Sequence, residues 1–288
     1  MTRRNAELLL AALIIARSTS YILTKTGLEA MGPFTLLAIR FLLAFALLVM
    51  IFWKRFIHLQ IQTLLRGMLL GLVFFAVMTA ELFGLQTTSS SMTAFLENTA
   101  IVFVPIFEAI LRKKLPTASV YISSAVTLLG VGLLTLHGNT VSLTQGELLC
   151  LLAALLYAAA IILTDRLAVK DDPFILGMLQ VGFLGLFSLF AAFLFETPRL
   201  PSSGQEWAII IALAIVCTGF GFTLQPVAQR YTSSERTGIF CALNPLVAAV
   251  LGWIILNERL GYQGIIGATL ILLGLTASYL IKKPDQIT

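Results

Sequence analysis

Charge is what this sequence has least of. Only 11% of its 288 residues are Asp, Glu, Lys or Arg, against roughly 25% in a soluble domain. Long connections are absent too. About five to eleven residues separate successive apolar runs, which leaves no room for a soluble domain between them. No G-x-x-x-x-G-K-S/T occurs, so this chain alone is not expected to drive transport with ATP. Its two histidines, His58 and His137, fall in connections, with no H-E-x-x-H and no Ser-His-Asp arrangement. Cys150, Cys217 and Cys241 are odd in number, sit within apolar runs and lack C-x-x-C or metal spacing, so they read as small packing groups. The Asp171-Asp172 pair has no second acidic cluster and reads as a solvated loop. Together these absences point away from an enzyme: no catalytic residue, no metal and no cofactor is expected.

What remains is apolar. Hydrophobic residues make up 58%, and the mean hydropathy is +0.96. Runs of about the 20 residues needed to cross a bilayer recur along the whole length. They cover residues 6–26, 34–53, 63–85, 91–111, 117–136, 146–165, 173–195, 207–228, 235–256 and 262–281. Such continuous runs do not alternate as barrel strands do and must satisfy their backbone groups internally, so the fold class is all-α. Trp53, Trp207 and Trp253 fall near run ends, where an amphipathic ring prefers the headgroup layer.

The two halves repeat each other. Ala6 to Arg40 realigns on Gly146 to Gln180, keeping Glu7 over Glu147 and Pro33-Phe34 over Pro173-Phe174. Thr88 to Leu136 realigns on Thr232 to Leu280, keeping Thr88-Ser89-Ser90 over Thr232-Ser233-Ser234, Thr93 over Thr237 and Gly130 over Gly274. Five spans per copy is an odd number, so the second copy must lie upside down relative to the first. The expectation is an integral membrane protein of ten transmembrane helices, residues 1–140 and 141–288 forming two inverted five-helix repeats around a central cavity. That is a recurrent architecture of secondary transporters.

A net charge of +5 and a pI near 9.3 would suggest nucleic acid for a soluble protein. Here the basic residues sort by side of the membrane instead, and no nucleic-acid partner is expected. With the N-terminus inside, fourteen of the nineteen Lys and Arg fall on the cytoplasmic side; Lys25, Arg199 and Arg259 face outward, and Arg17 and Arg40 lie in the membrane. Both termini are therefore expected in the cytoplasm. The run after Arg3 and Arg4 reads as a retained first span rather than a signal peptide.

An ionisable group near the bilayer centre costs at least about 2.5 kcal/mol and usually faces a cavity or a partner. Arg17, Arg40, Glu81 and Glu97 are such groups, and either a structural pair network or a solute or proton site explains them. Arg40 and Glu97 fall at similar depth, so an ion pair between them is geometrically possible. Glu108, with Arg112 four residues on, reads as an interfacial helix bridge. Around the charges lie Tyr21, Thr24, Asn98, Tyr157, Gln180, Gln225 and Asn244. Arg17, Tyr21 and Thr24 share one helical face. One cation, one carboxylate and a few amides would suit a substrate carrying both an ammonium and a carboxylate. Pro105 and Pro245 are candidate kinks in the fourth and ninth spans.

The stretch S-T-S-Y-I-L-T-K at the end of the first span, Pro33 followed by Arg40, the T-S-S run, and NPLVAAVLGWIILNERLGYQGIIGATLILLGL from Asn244 onward resemble the EamA domain of the drug/metabolite transporter superfamily. The resemblance covers essentially the whole chain as two tandem copies. Lys113-Lys114 stand where the family usually has Gly-Glu, and Arg17 where it usually has Trp. The resemblance, strongest to amino acid exporters of the YddG type, implies a secondary transporter of the bacterial inner membrane. It would export small metabolites, aromatic and other neutral amino acids first among them, by alternating access. Its partners would be the small-molecule substrate and the lipid bilayer, with protons as a conjectured coupling ion through Glu81 and Glu97. Export of other metabolites or amphipathic drugs is the alternative; from another class, an intramembrane enzyme on a lipid-linked substrate.

Overall fold

In the computed structural model of the chain, residues 1–56, 59–88, 90–135, 144–247 and 262–279 are described. His58, His137, Trp253, Ser89, the connection 257–261 and the expected repeat boundary at 140 lie outside them. The described residues are helical, with no strand among them. Helix α1 spans Arg3–Ala30, α2 Pro33–Phe52, α3 Ile61–Thr87, α4 Met92–Arg112 and α5 Ala118–Thr135. Then follow α6 Gln145–Lys170, α7 Pro173–Phe195, α8 Gly204–Gln229, α9 Ser234–Phe240 and α10 Tyr262–Tyr279.

Among the described residues, seven segments are long and apolar enough to cross a membrane: α1, α2 with the turn after it, α3, α4, α6, α7 and α8. Two shorter apolar stretches, Val120–Leu133 and Tyr262–Gly274, lie in α5 and α10. Large apolar side chains cover the outside of the bundle. On α3, for example, Leu65, Met68, Leu69 and Leu72 are exposed while Gly67, Leu70, Gly71 and Phe74 are buried. Such an exterior suits lipid and not water.

Packing pairs the helices across the two halves: α2 lies on α7, α5 on α10, α3 on α6 and α7, and α1 on α8. Small residues permit the closest approaches. A β-carbon at Gly71 would meet the backbone of α7 at 3.1 Å, and one at Gly130 would meet the backbone of α10 at 2.8 Å. Without a hydrophobic drive between helices in lipid, this close contact is the attraction.

Three helices are interrupted near the middle of the bundle. α1 breaks at Thr19 and α4 at Thr99, while α8 widens to a π-helix over Leu213–Phe222. The kink expected at Pro105 is not where α4 breaks: Ala100–Arg112 runs through Pro105, and the break lies six residues earlier. Pro245 follows a turn at residues 241–242 and sits early in the next helical segment, where a proline lacks no intrahelical bond. Lys113 closes α4 with a left-handed backbone, φ 50°, a conformation that favours glycine.

Helix ends are tied across the halves. Glu196, just past α7, accepts hydrogen bonds from Phe34 N (2.8 Å), Thr35 N (2.9 Å) and Thr35 Oγ1 (2.7 Å), capping α2, whose own N-cap is Gly32. At the other end Arg66 pairs with Asp171 at 3.0 Å, and Asp172 caps α7. Substituting Glu196→Ala leaves the first amides of α2 without that acceptor, a loss of about 1–2 kcal/mol. Thermal unfolding in detergent is expected to fall by roughly 2–6 °C; an unchanged melt would show that water replaces the cap.

Candidate functional site

The broken and widened helices meet around Arg17. Its Nη1 donates to Tyr157 Oη at 3.0 Å and to Gln225 Oε1 at 2.8 Å. Its guanidinium carbon lies 4.0 Å from the centre of the Phe222 ring and 5.5 Å from that of Tyr157. The π-helical turn makes room for the stem of this side chain. A β-carbon at Gly221 would come within 2.5 Å of Arg17 Cγ, so glycine is needed there. Insertions of this kind recur at functional sites.

Two small spaces flank Arg17. The first, about 10 Å³, is lined by Arg17, Ser20, Tyr21, Arg40, Met78, Glu81, Glu97, Phe222 and Asn244. The second, too narrow for a water molecule, is lined by Leu10, Leu13, Ile14, Arg17, Tyr157, Gly221, Gln225, Thr237 and Cys241. The repeat register relates them: Arg17 and Glu97 of the first space correspond to Tyr157 and Cys241 of the second. Arg17 stands between them: the first space adds Arg40, Glu81 and Glu97, and the second is neutral apart from Arg17.

All four intramembrane charges thus line one space. Arg40 donates Nε to Thr218 Oγ1 at 2.8 Å and Nη1 to Thr24 Oγ1 at 3.5 Å. Glu97 accepts a hydrogen bond from Tyr21 Oη. Glu81 is 7% exposed, and its Oε2 has no hydrogen-bond partner among the described residues. The Arg40–Glu97 pair that depth allows does not form. Among the described residues every ion pair lies at helix ends, and none joins these four side chains. Burial without a counter-ion is costly, by several kcal/mol per ion.

The remaining predicted residues scatter around this centre. Asn244 accepts from Ser18 Oγ at 2.9 Å and lines the charged space. Asn98 is buried but turns Nδ2 onto Ala94 O of its own helix, 2.7 Å away. Gln180 is buried with both amide atoms unpartnered among the described residues, and it lines neither space. Glu108 bonds Arg112, as its i,i+4 spacing suggests, and also takes a hydrogen bond from Ser234 at 3.2 Å. Sequence reasoning missed Phe222, Thr218, Met78 and Cys241. The Gly-Phe-Gly-Phe run at 219–222 was the available signal for Phe222; Cys241 is the repeat partner of Glu97. No group of three or more His, Cys, Asp or Glu that could hold a metal occurs among the described residues.

Comparison with known proteins agrees in kind. The model of the EamA-like transporter family matches twice, at residues 4–136 and 144–280. An uncharacterized transporter of Archaeoglobus fulgidus is 28% identical over 93% of this chain and 95% of its own length. The uncharacterized transporter YcxC of Bacillus subtilis is 27% identical over 90% of this chain and 88% of its own. One solved crystal structure shares the fold with a TM-score of 0.81, covering 97% of this chain and 98% of that one at 18% identity. Matched in both halves, this chain belongs to the EamA-like transporter family: it is a multi-pass membrane transporter of small molecules, not an enzyme.

Proposed function

We propose that the protein is a secondary exporter of small zwitterionic metabolites, neutral amino acids first among them, working by alternating access across the bacterial inner membrane. The observation that carries this reading is the convergence of Arg17, Arg40, Glu81 and Glu97 on one buried space with no ion pair between them. A solute carboxylate would meet the guanidinium groups, and its ammonium the free oxygen of Glu81. The neutral space beyond Arg17, walled by Leu10, Leu13 and Ile14, would take an apolar side chain. Both spaces are far smaller than the roughly 300 Å³ at which ligand pockets begin, so the helices around Arg17 would part to admit a solute.

Ten spans in two inverted repeats, residues 1–140 and 141–288, frame this passage. The end contacts support the inversion. α1 starts beside α9, where Glu7 meets Arg236, and α6 ends beside the same helix, where Asp165 meets Ser234 at 3.1 Å. The first helix of one copy therefore begins at the end of the bundle where the first helix of the other finishes. The excess of Lys and Arg at that end supports assigning it to the cytoplasm, with both termini there.

Liposomes holding the purified protein and loaded with labelled phenylalanine or threonine are expected to release it faster than empty ones. A panel of twenty unlabelled amino acids then ranks competitors. Inactivity with amino acids, sugars and amphipathic drugs alike would reject export. Glu81 and Glu97 are the proposed proton carriers. Replacing both with Gln is expected to abolish the pH dependence of efflux; pH dependence that survives the double substitution would remove them from that role.

A further inference from the structure

The passage has a fastening outside the site. Glu7 of α1 and Arg236 of α9 form an ion pair at relative exposures of 2% and 1%. The pair joins the two halves of the sequence, 229 residues apart. It lies one turn below the neutral space: Leu10 is one turn on from Glu7, and Cys241 five residues, about 8 Å, on from Arg236. Nearby, Ser234 bridges Glu108 of α4 at 3.2 Å and Asp165 of α6 at 3.1 Å. Four helices, two from each half, are therefore drawn together between the neutral space and the face where α1 starts.

The repeat sets this end apart from its counterpart. Glu7 corresponds to Glu147, but Arg236 corresponds to Met92, which cannot form an ion pair. Met92 packs instead with Leu96 and Cys150 in an apolar cluster. One mouth of the passage is fastened by buried charge, and at the position of the other related to Arg236 stands a methionine.

We infer that Glu7 and Arg236 are gating residues, an ionic latch that holds the N-terminal mouth shut and must part for solute to enter from that side. The latch rests on the alternating-access reading. Attraction between buried charges falls steeply once water enters, so the pair holds when closed and releases abruptly when hydrated.

The test uses the full chain with Cys150 and Cys217 replaced by alanine, leaving Cys241 as the single thiol. A membrane-impermeant maleimide is added from the N-terminal face of oriented vesicles. Arg236→Met gives this position the residue of the first copy and leaves Glu7 with Arg3, whose Nε lies 3.0 Å away. It is expected to speed labelling of Cys241 about tenfold, a shift of one decade toward the open mouth. The paired variant Glu7→Met with Arg236→Met, which leaves neither charge in place, is expected to do the same. Labelling at the parent rate in both variants would overturn the latch. Efflux by the parent is measured separately: faster labelling with no efflux of any solute would sink the export reading and leave the latch standing as the gate of a cavity.

Discussion

Arg17→Met is expected to cut solute efflux by about two orders of magnitude while leaving the protein as stable as before or more so. The reason lies in what surrounds the guanidinium. Tyr157 and Gln225 hold it and the rings of Phe222 and Tyr157 face it, but among the described residues no carboxylate is within ion-pair distance. Neutral contacts return only part of the cost of burying an ion, and replacing buried ionic groups with apolar ones of similar volume is often neutral or stabilising by about 1–4 kcal/mol. A group whose removal relieves the fold and abolishes flux is one kept for binding. Arg17→Lys keeps the charge but loses the planar fork and the ring stacking, so an intermediate loss is expected. Parallel efflux and melting measurements decide the matter. A Met variant that melts far below the parent would make Arg17 a structural residue.

Gly130→Val is expected to be the most damaging change to the fold, lowering the melting temperature in detergent by roughly 6–10 °C. A β-carbon there would stand 2.8 Å from Gly267 O, 2.8 Å from Ile271 N and 2.9 Å from Leu270 Cβ. Two of those three are backbone atoms and cannot turn aside, so α5 and α10 must separate. The opposite side of the contact is equally tight, since a β-carbon at Gly274 would strike Thr127 Oγ1 and lie 3.1 Å from Ser123 O. Gly204, with nothing within 4 Å of a β-carbon, is the control: Gly204→Ala should melt as the parent does. A Gly130→Val protein melting within 2 °C of the parent, on the scale of about 2–4 °C per kcal/mol, would mean the two helices are not packed through this glycine.

Much of this was legible in the residues. Continuous apolar runs announced helices because no other backbone arrangement satisfies its own polar groups in lipid, and the four scarce charges pointed inward for the reason that makes them scarce. Arg17 and Tyr157 occupy equivalent positions in the repeat and bond each other, a relation the repeat register held but the polar residues taken one by one did not reveal. Counting residues, however, gives a side chain's depth and not its direction around the axis. Arg40 and Glu97 match in depth, yet Thr218 and Tyr21 take their bonds. The breaks at Thr19 and Thr99 carry no proline to mark them, and the proline beside the π-helical turn of α8, Pro226, comes four residues after its end. Pro105 drew attention to the wrong turn of α4. Arg236 read as one more basic residue of the inner surface, because nothing local shows that a partner 229 residues away buries it.

Counterflow tests the central claim most directly. Proteoliposomes loaded with unlabelled phenylalanine or threonine and placed in a trace of the labelled solute should take up label transiently above its equilibrium level, since a carrier that exposes one site to each face in turn exchanges one molecule for another. Uptake that only relaxes to equilibrium, with no overshoot at any loading, would describe an open pore and contradict a site shared alternately between the two faces.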